Sequence, residues 1–447
     1  MKNNRLLINF AKYTLFNVAG MLALSFYILV DTFFIAWAMG ADGLAALNFA
    51  IPAFSFIIGS GLMFGIGGAT KFSILRSQND VSEANFAFTN TMFITTCVST
   101  VFVVLGVFFS GHIVSALQTP DAIFEMSRIY LQIVMVFAPV FMFNSVMLCF
   151  VRNDGAPGLA MLAMVCGSFA NIVLDYVFII WLRWGMFGAA LVTGISSGIS
   201  LLIVCSFVFQ KKNNFRLIKR RVSSFIVRQI ISTGAPSLIT ELSSGVVIIM
   251  FNIIILGLDG SVGVAAYGII ANISLVVIAI YTGIAQGVQP LISSCHGADD
   301  REGIRKLLRY SVISIATLST IIYAAVFFGN TQVVNIFNYE QNMLLQNIAE
   351  LGIRIYFIGC IFVGFNIVIS IYFTSTERPE PAHVISVLRG FVVIIPMAFL
   401  LSNLGGIIGV WSAFPVTEIL VSVIGLVLLL RKRSFKSDKR SQKMFDS

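Results

Sequence analysis

KKNNFRLIKRR, residues 211–221, is the one strongly polar stretch between long blocks of apolar sequence, and it falls near the midpoint of a 447-residue chain. A segment of this kind separates two halves, so an internal repeat is the first feature to seek. A shift of 220 residues lays GLAAL (43–47) on GVAAY (263–267), Gly67 on Gly287, Ser73 on Ser293 and Asp80 on Asp300. With a shift of 221, GMFGA (185–189) meets GIIGV (406–410), and Gln210-Lys211-Lys212 meets Arg431-Lys432-Arg433. Each match is weak alone; a nearly constant offset along both blocks is not.

The blocks themselves are hydrocarbon-like. Hydrophobic residues make up 58% of the chain and charged residues 11%, with mean hydropathy +0.93. A soluble protein carries roughly 25% charged residues, so the chain reads as an integral membrane protein. A spanning helix needs about 20 mostly apolar residues. Apolar runs between polar breaks place twelve at 10–39, 44–69, 86–110, 124–149, 158–182, 187–210, 226–257, 262–291, 307–329, 344–373, 382–402 and 407–430. The runs are too long, and alternate too little, for strands of a barrel. The expected fold is all-α, twelve spans in two pseudo-symmetric lobes of six. The lobes would cover 1–210 and 225–431, with a basic cytoplasmic linker at 211–224 and a basic cytoplasmic tail at 432–447. An N-terminal stretch without a cleavage pattern reads as a retained first helix rather than a signal peptide.

Even span counts put both termini on one side. Of 29 basic residues, 26 fall at the termini or in loops after even-numbered spans, Arg152 and Arg389 among them; only Arg128, Arg183 and Arg354 fall on the opposite face. The positive-inside rule then places both termini in the cytoplasm of a plasma-membrane protein. Topology and anionic lipid headgroups account for the net charge of +9, so nucleic acid is not an expected partner. The six cysteines form no C-x-x-C pair and read as packing residues. No H-E-x-x-H, P-loop or G-x-S-x-G motif occurs, and no enzyme or cofactor is expected.

Six spans per half means both halves enter the membrane in one direction, related by an axis along the membrane normal. Paired lobes of this kind enclose a central cavity and rock about it, which favours a secondary transporter. Four acids lie within spans: Asp31, Asp175, Glu241 and Glu418. No Lys or Arg reads as equally deep. A bare carboxylate at mid-bilayer costs about 2.5–3.5 kcal/mol on insertion scales, and such residues mark ion or substrate pathways. Asp31 lies about 12 Å short of the outer end of its span, Asp175 about 10 Å and Thr193 about 9 Å at the helical rise. Asn171 shares a face with Asp175 at i, i+4. Asp31, Asn171, Asp175 and Thr193 can therefore meet at one level, as hard oxygen ligands for Na+ or as a carboxyl pair sharing a proton. The second lobe does not repeat the set: Asp31 aligns with Phe251 and Asp175 with Pro396. It offers Glu241, five residues after Pro236, and Glu418, about 16 Å from the outer end of its span. Both suit a cationic substrate or a second coupling group. GSGLMFGIGG (59–68) reads as close helix packing.

Five segments resemble one known family. VDTFFIA (30–36), RNDGAPGLAMLAMVCGSFANIVLDYVFII (152–180), GMFGAALVTGIS (185–196), GVQPLIS (287–293) and GIIGVWSAFPVTE (406–418) are similar to segments of the multidrug and toxic compound extrusion (MATE) transporters. The resemblance implies an efflux antiporter exporting bulky organic cations against inward H+ or Na+, with the coupling ion held by Asp31, Asn171, Asp175 and Thr193. Two positions depart from the pattern. Phe16 stands where many relatives have a proline in span 1, and Gln286, in GIAQG (283–287), where some carry an acid. The expected substrate contacts are Glu241, Gln286 and Glu418. A monomer is expected. The rival readings are a lipid-linked oligosaccharide flippase of the same superfamily and a non-transporting receptor or scaffold.

Overall fold

A computed structural model describes residues 2–338 and 341–430; the tail at 432–447 and the repeat partner 431–433 lie outside the described residues. Among the described residues, eight helices are long and apolar enough to cross a membrane, nine if the bent pair Asp121–Val136 and Ala138–Asn153 is one span. Three of them are broken at non-helical residues: Lys2–Ser77 at Gly40, Ser224–Gly297 at Asp259 and Gly260, and Ile394–Leu430 at Gly406. Twelve spans result.

Spans 1 and 2 are residues 2–39 and 41–77. Span 3 is Val81–Ala116, and span 4 is the bent pair, turning 48° just before Pro139. Span 5 is Pro157–Asp175 continued by a π-helical turn, Tyr176–Trp181; span 6 is Gly185–Phe209. Spans 7 and 8 are 224–258 and 261–297, and span 9 is Arg301–Phe328. Span 10 runs over Met343–Tyr356 and Cys360–Ser375 across a short 3-10 turn. Span 11 is Pro379–Val387, the π-helical turn Leu388–Val392, and 394–405; span 12 is 407–430. A short helix, Asn330–Phe337, precedes span 10 and was not foreseen; its buried Asn330 and Val334 dock it on the second lobe.

The repeat is written in the backbone. Gly40 and Gly260, 220 apart, hold φ/ψ of 61/−148° and 62/−152°. Gly185 and Gly406, 221 apart, hold φ of 55° and 56°. These values lie in the positive-φ region that only glycine adopts without strain, so the chain reverses at the same places in both lobes. Asp80 and Asp300 cap spans 3 and 9, accepting from Glu83 N at 3.1 Å and Gly303 N at 2.8 Å. One buried cluster runs from Ile35 to Phe215 and another from Met250 to Ala413, one core to each lobe.

The linker is not a loose tether. Arg216, Ile218 and Ser223 donate their backbone N–H groups to Asn85, Thr89 and Asn90 on span 3 at 2.8, 3.1 and 2.9 Å. Phe215 is buried among Phe72, Phe88, Phe150 and Phe207. These bonds and the buried Phe215 ring strap the segment along the first lobe.

The lobes touch through glycines on the membrane face that carries the linker. A Cβ on Gly67 would lie 2.0 Å from Ile230 O, and one on Gly234 1.8 Å from Met63 O. Its symmetry-related contact seats span 8 on span 1: a Cβ on Gly287 would lie 2.7 Å from Thr14 Cα. Within 59–68, Gly61 and Gly65 meet span 4 at Met142 and Val146 as the packing reading expects. Toward the opposite face, Gly257 and Gly268 have no heavy atom within 4 Å of such a Cβ.

Candidate functional site: a carboxyl pair in the first lobe

Asp31 and Asp175 come together. Span 1 brings in Asp31, and span 5 ends its regular α-helix at Asp175, where the π-helical turn begins. The two carboxyls face one another between spans 1 and 5. Asp175 and Asn171 are fully buried, and Thr193 is 5% exposed. Asn171 Nδ2 donates to Ser196 Oγ at 3.3 Å, Ser196 Oγ to Thr193 O at 3.0 Å, and Thr193 Oγ1 to Ala189 O at 3.0 Å. Asp31 thus meets Asp175 between spans 1 and 5, and Asn171 on span 5 is tied through Ser196 to Thr193 on span 6.

The oxygens of this site lack donors. Asp31 Oδ1, Asn171 Oδ1 and both oxygens of Asp175 receive no hydrogen bond from any described donor. No described Lys or Arg forms an ion pair with either carboxylate. Two ionised carboxylates cannot bond to each other, whereas one shared proton, or a cation among the oxygens, satisfies the group. No three His, Cys, Asp or Glu side chains converge as a metal site among the described residues. The donor set here is two carboxylates, an amide oxygen and a hydroxyl, chemistry that suits a hard cation.

Sequence reading missed three neighbours. Tyr130 of span 4 stands beside Thr193 and the two carboxyls, and Tyr27 of span 1 beside the carboxyls. Tyr27 stands one turn before Asp31 and Ser196 one turn after Thr193, so helical spacing could have found them. Tyr130 carries no such signal.

The second lobe corrects one reading. Glu418 is not without a basic partner: Arg389 Nε donates to its Oε1 at 3.0 Å and Asn366 Nδ2 to its Oε2 at 2.7 Å. Ser422 Oγ completes the group by donating to Asn366 Oδ1 at 3.1 Å. Arg389 was counted with the loop residues, yet it lies in the π-helical turn ten residues inside span 11, about 15 Å deep. Arg152, counted likewise, is 2% exposed at the end of span 4. Glu241 on span 7 has no described Lys or Arg ion pair, and its Cβ lies 3.2 Å from a Cβ built on Gly59 of span 2. Gln286 is buried and accepts from Arg152 NH1 at 2.8 Å. Glu241 and Gln286 therefore sit between the lobes, and Glu418 inside the second. Span 1 passes Phe16 unbroken, with the ring packed on Gly158.

The MatE family model matches residues 18–177 and 236–400, one match in each lobe. The chain belongs to the MatE family. This MatE protein is 24% identical over 423 residues to the multidrug export protein MepA of Staphylococcus saprophyticus, covering 94% of this chain and 93% of that one. Among solved structures, it is similar to an outward-facing multidrug resistance MATE family transporter of the MOP superfamily, with TM-score 0.89 and 21% identity. It is equally similar to a MATE crystallised with MaL6, with TM-score 0.89 and 20% identity; each alignment covers 94% of both chains. Family and fold agree with the twelve-span, two-lobe reading, and the MatE protein is a multi-pass membrane protein.

Proposed function

We propose that this MatE protein is a secondary multidrug exporter, driving organic cations out of the cell against inward H+ or Na+. The observation that carries the reading is the Asp31–Asp175 pair, a half-buried carboxyl against a fully buried one beside Asn171 and Thr193, with no described Lys or Arg to neutralise it. Such a pair takes up a mobile positive charge, and its occupancy changes the charge buried between spans 1 and 5. Any difference in that charge between two lobe arrangements couples the ion to the lobes, and by linkage the lobes to the ion. Glu241, between the lobes, supplies a negative charge for a cationic substrate. The name of the staphylococcal relative supports multidrug export.

In this reading 1–210 and 225–431 move as the two lobes about the linker, the chain works as a monomer, and both termini lie in the cytoplasm of the plasma membrane. The linker face is then cytoplasmic, and its glycine contacts close the inner end of the cleft. A flippase gripping pyrophosphate would need free cations in the cleft, whereas Arg152 and Arg389 are turned into protein partners.

The test is dye export from proteoliposomes with an imposed Na+ or pH gradient. One gradient is expected to drive export by the parent protein, and neither to drive Asp31→Asn or Asp175→Asn. Full gradient-driven export by both variants would remove the coupling role.

A further inference from the structure

Arg152 is buried without an acid. Its NH1 donates to Asn17 Oδ1 of span 1 at 2.6 Å and to Gln286 Oε1 of span 8 at 2.8 Å, while NH2 reaches only Cys149 Sγ at 3.4 Å and Nε has no described partner. One guanidinium thus holds an acceptor from each lobe. Beside it, Asn153 Nδ2 donates to Gln289 Oε1 at 2.9 Å, and Gln289 Nε2 to Thr70 Oγ1 at 2.8 Å. Lys71 pairs with Glu377 at 2.7 Å, and Ser73 Oγ donates to Pro290 O at 3.5 Å. These ties between the lobes all lie at the linker face, where the glycine contacts close span 2 on span 7 and span 8 on span 1.

We infer that Arg152 is the positioning residue that holds the linker end of the cleft shut, and that Gln286 is its adjustable partner. The physical argument is a balance. A buried guanidinium needs acceptors, and Gln286 is the one that leaves when the second lobe swings away. A carboxylate there would make a buried ion pair and hold Arg152 more tightly. A neutral amide gives a charge-assisted bond that holds and lets go. The rigid fork of arginine is also what spans two acceptors at once, which a lysine ammonium does not reproduce. This inference concerns the closure itself and does not depend on which ion drives transport.

The test is a distance measurement by double electron–electron resonance in nanodiscs, without substrate. Spin labels go at Val81→Cys and Arg301→Cys, exposed starts of spans 3 and 9 on the linker face, with the six native cysteines replaced by serine. Gln286→Met and Arg152→Gln are expected to raise the widened population by about tenfold, the loss of one charge-assisted bond, with Arg152→Lys between them and the parent. Gln286→Glu is expected to do the opposite: the widened population disappears and dye export slows. Gln286→Met keeps the test alive if Arg152→Gln does not fold. Unchanged distances in Gln286→Met, or widening in Gln286→Glu, would overturn the assignment.

Discussion

Arg389 donates to Glu418 at 3.0 Å inside the second lobe from a π-helical turn of span 11, whereas Asp175 stands at the start of the π-helical turn of span 5. In both spans a π-helical turn sits at the charge. Such turns insert a residue into the helical ladder and re-aim side chains. The first lobe uses its turn beside a carboxylate that has no protein counter-charge; the second uses it to seat a cation that closes an ion pair.

That contrast separates stability from transport. Glu418→Ala is expected to cost about 3–5 kcal/mol, because it leaves Arg389, deep in span 11 and mostly shielded, uncompensated. Thermal unfolding in detergent would show the fall, and the double change Arg389→Met with Glu418→Leu would recover most of it.

The first lobe should behave the other way. Asp31→Asn and Asp175→Asn break no ion pair, so their unfolding temperature is expected to equal or exceed that of the parent. Gradient-driven export should drop by at least about tenfold, the usual scale of a coupling free energy. Stopped-flow dye efflux together with an unfolding scan would check both halves of the statement.

Glycines give a third contrast. Gly67→Ala or Gly234→Ala drives a methyl into a backbone carbonyl of the other lobe, 2.0 and 1.8 Å away. Overpacking of this kind costs about 1–3 kcal/mol, and here it falls only on the closed linker face. Span 2 should part from span 7, seen as faster labelling from that face by a membrane-impermeant maleimide at an engineered cysteine. Gly268→Ala meets nothing within 4 Å and should leave labelling unchanged.

The strap can be tested by proteolysis. Asp154 accepts from Asn214 N at 2.6 Å, from Asn214 Nδ2 at 3.0 Å and from Arg76 NH1 at 2.6 Å. Asp154→Ala removes all three, and charge-assisted bonds are worth about 1.5–3 kcal/mol each. Tryptic cleavage at Lys219–Arg221 is expected to quicken by at least about tenfold, with the described spans resistant. Unchanged cleavage would show that the bonds from span 3 hold the strap alone.

Span number, the repeat, and the depth of Asp31, Asn171, Asp175 and Thr193 were all legible in the order of residues. They are one-dimensional properties: a bilayer of given thickness measures apolar length, and a helix rises by a constant step. The partner of each charge was not legible. Whether a carboxylate meets an arginine depends on which way its helix is rotated and on what the neighbouring span presents, and π-helical turns change that rotation locally. Asp175 and Glu418 look alike as acids in apolar runs. Only the packing of twelve spans leaves the first against another carboxylate and sets the second on Arg389. Burial of Arg152 has the same origin. Its place at the end of a span suggests solvent, and the closure of one lobe on the other takes that solvent away.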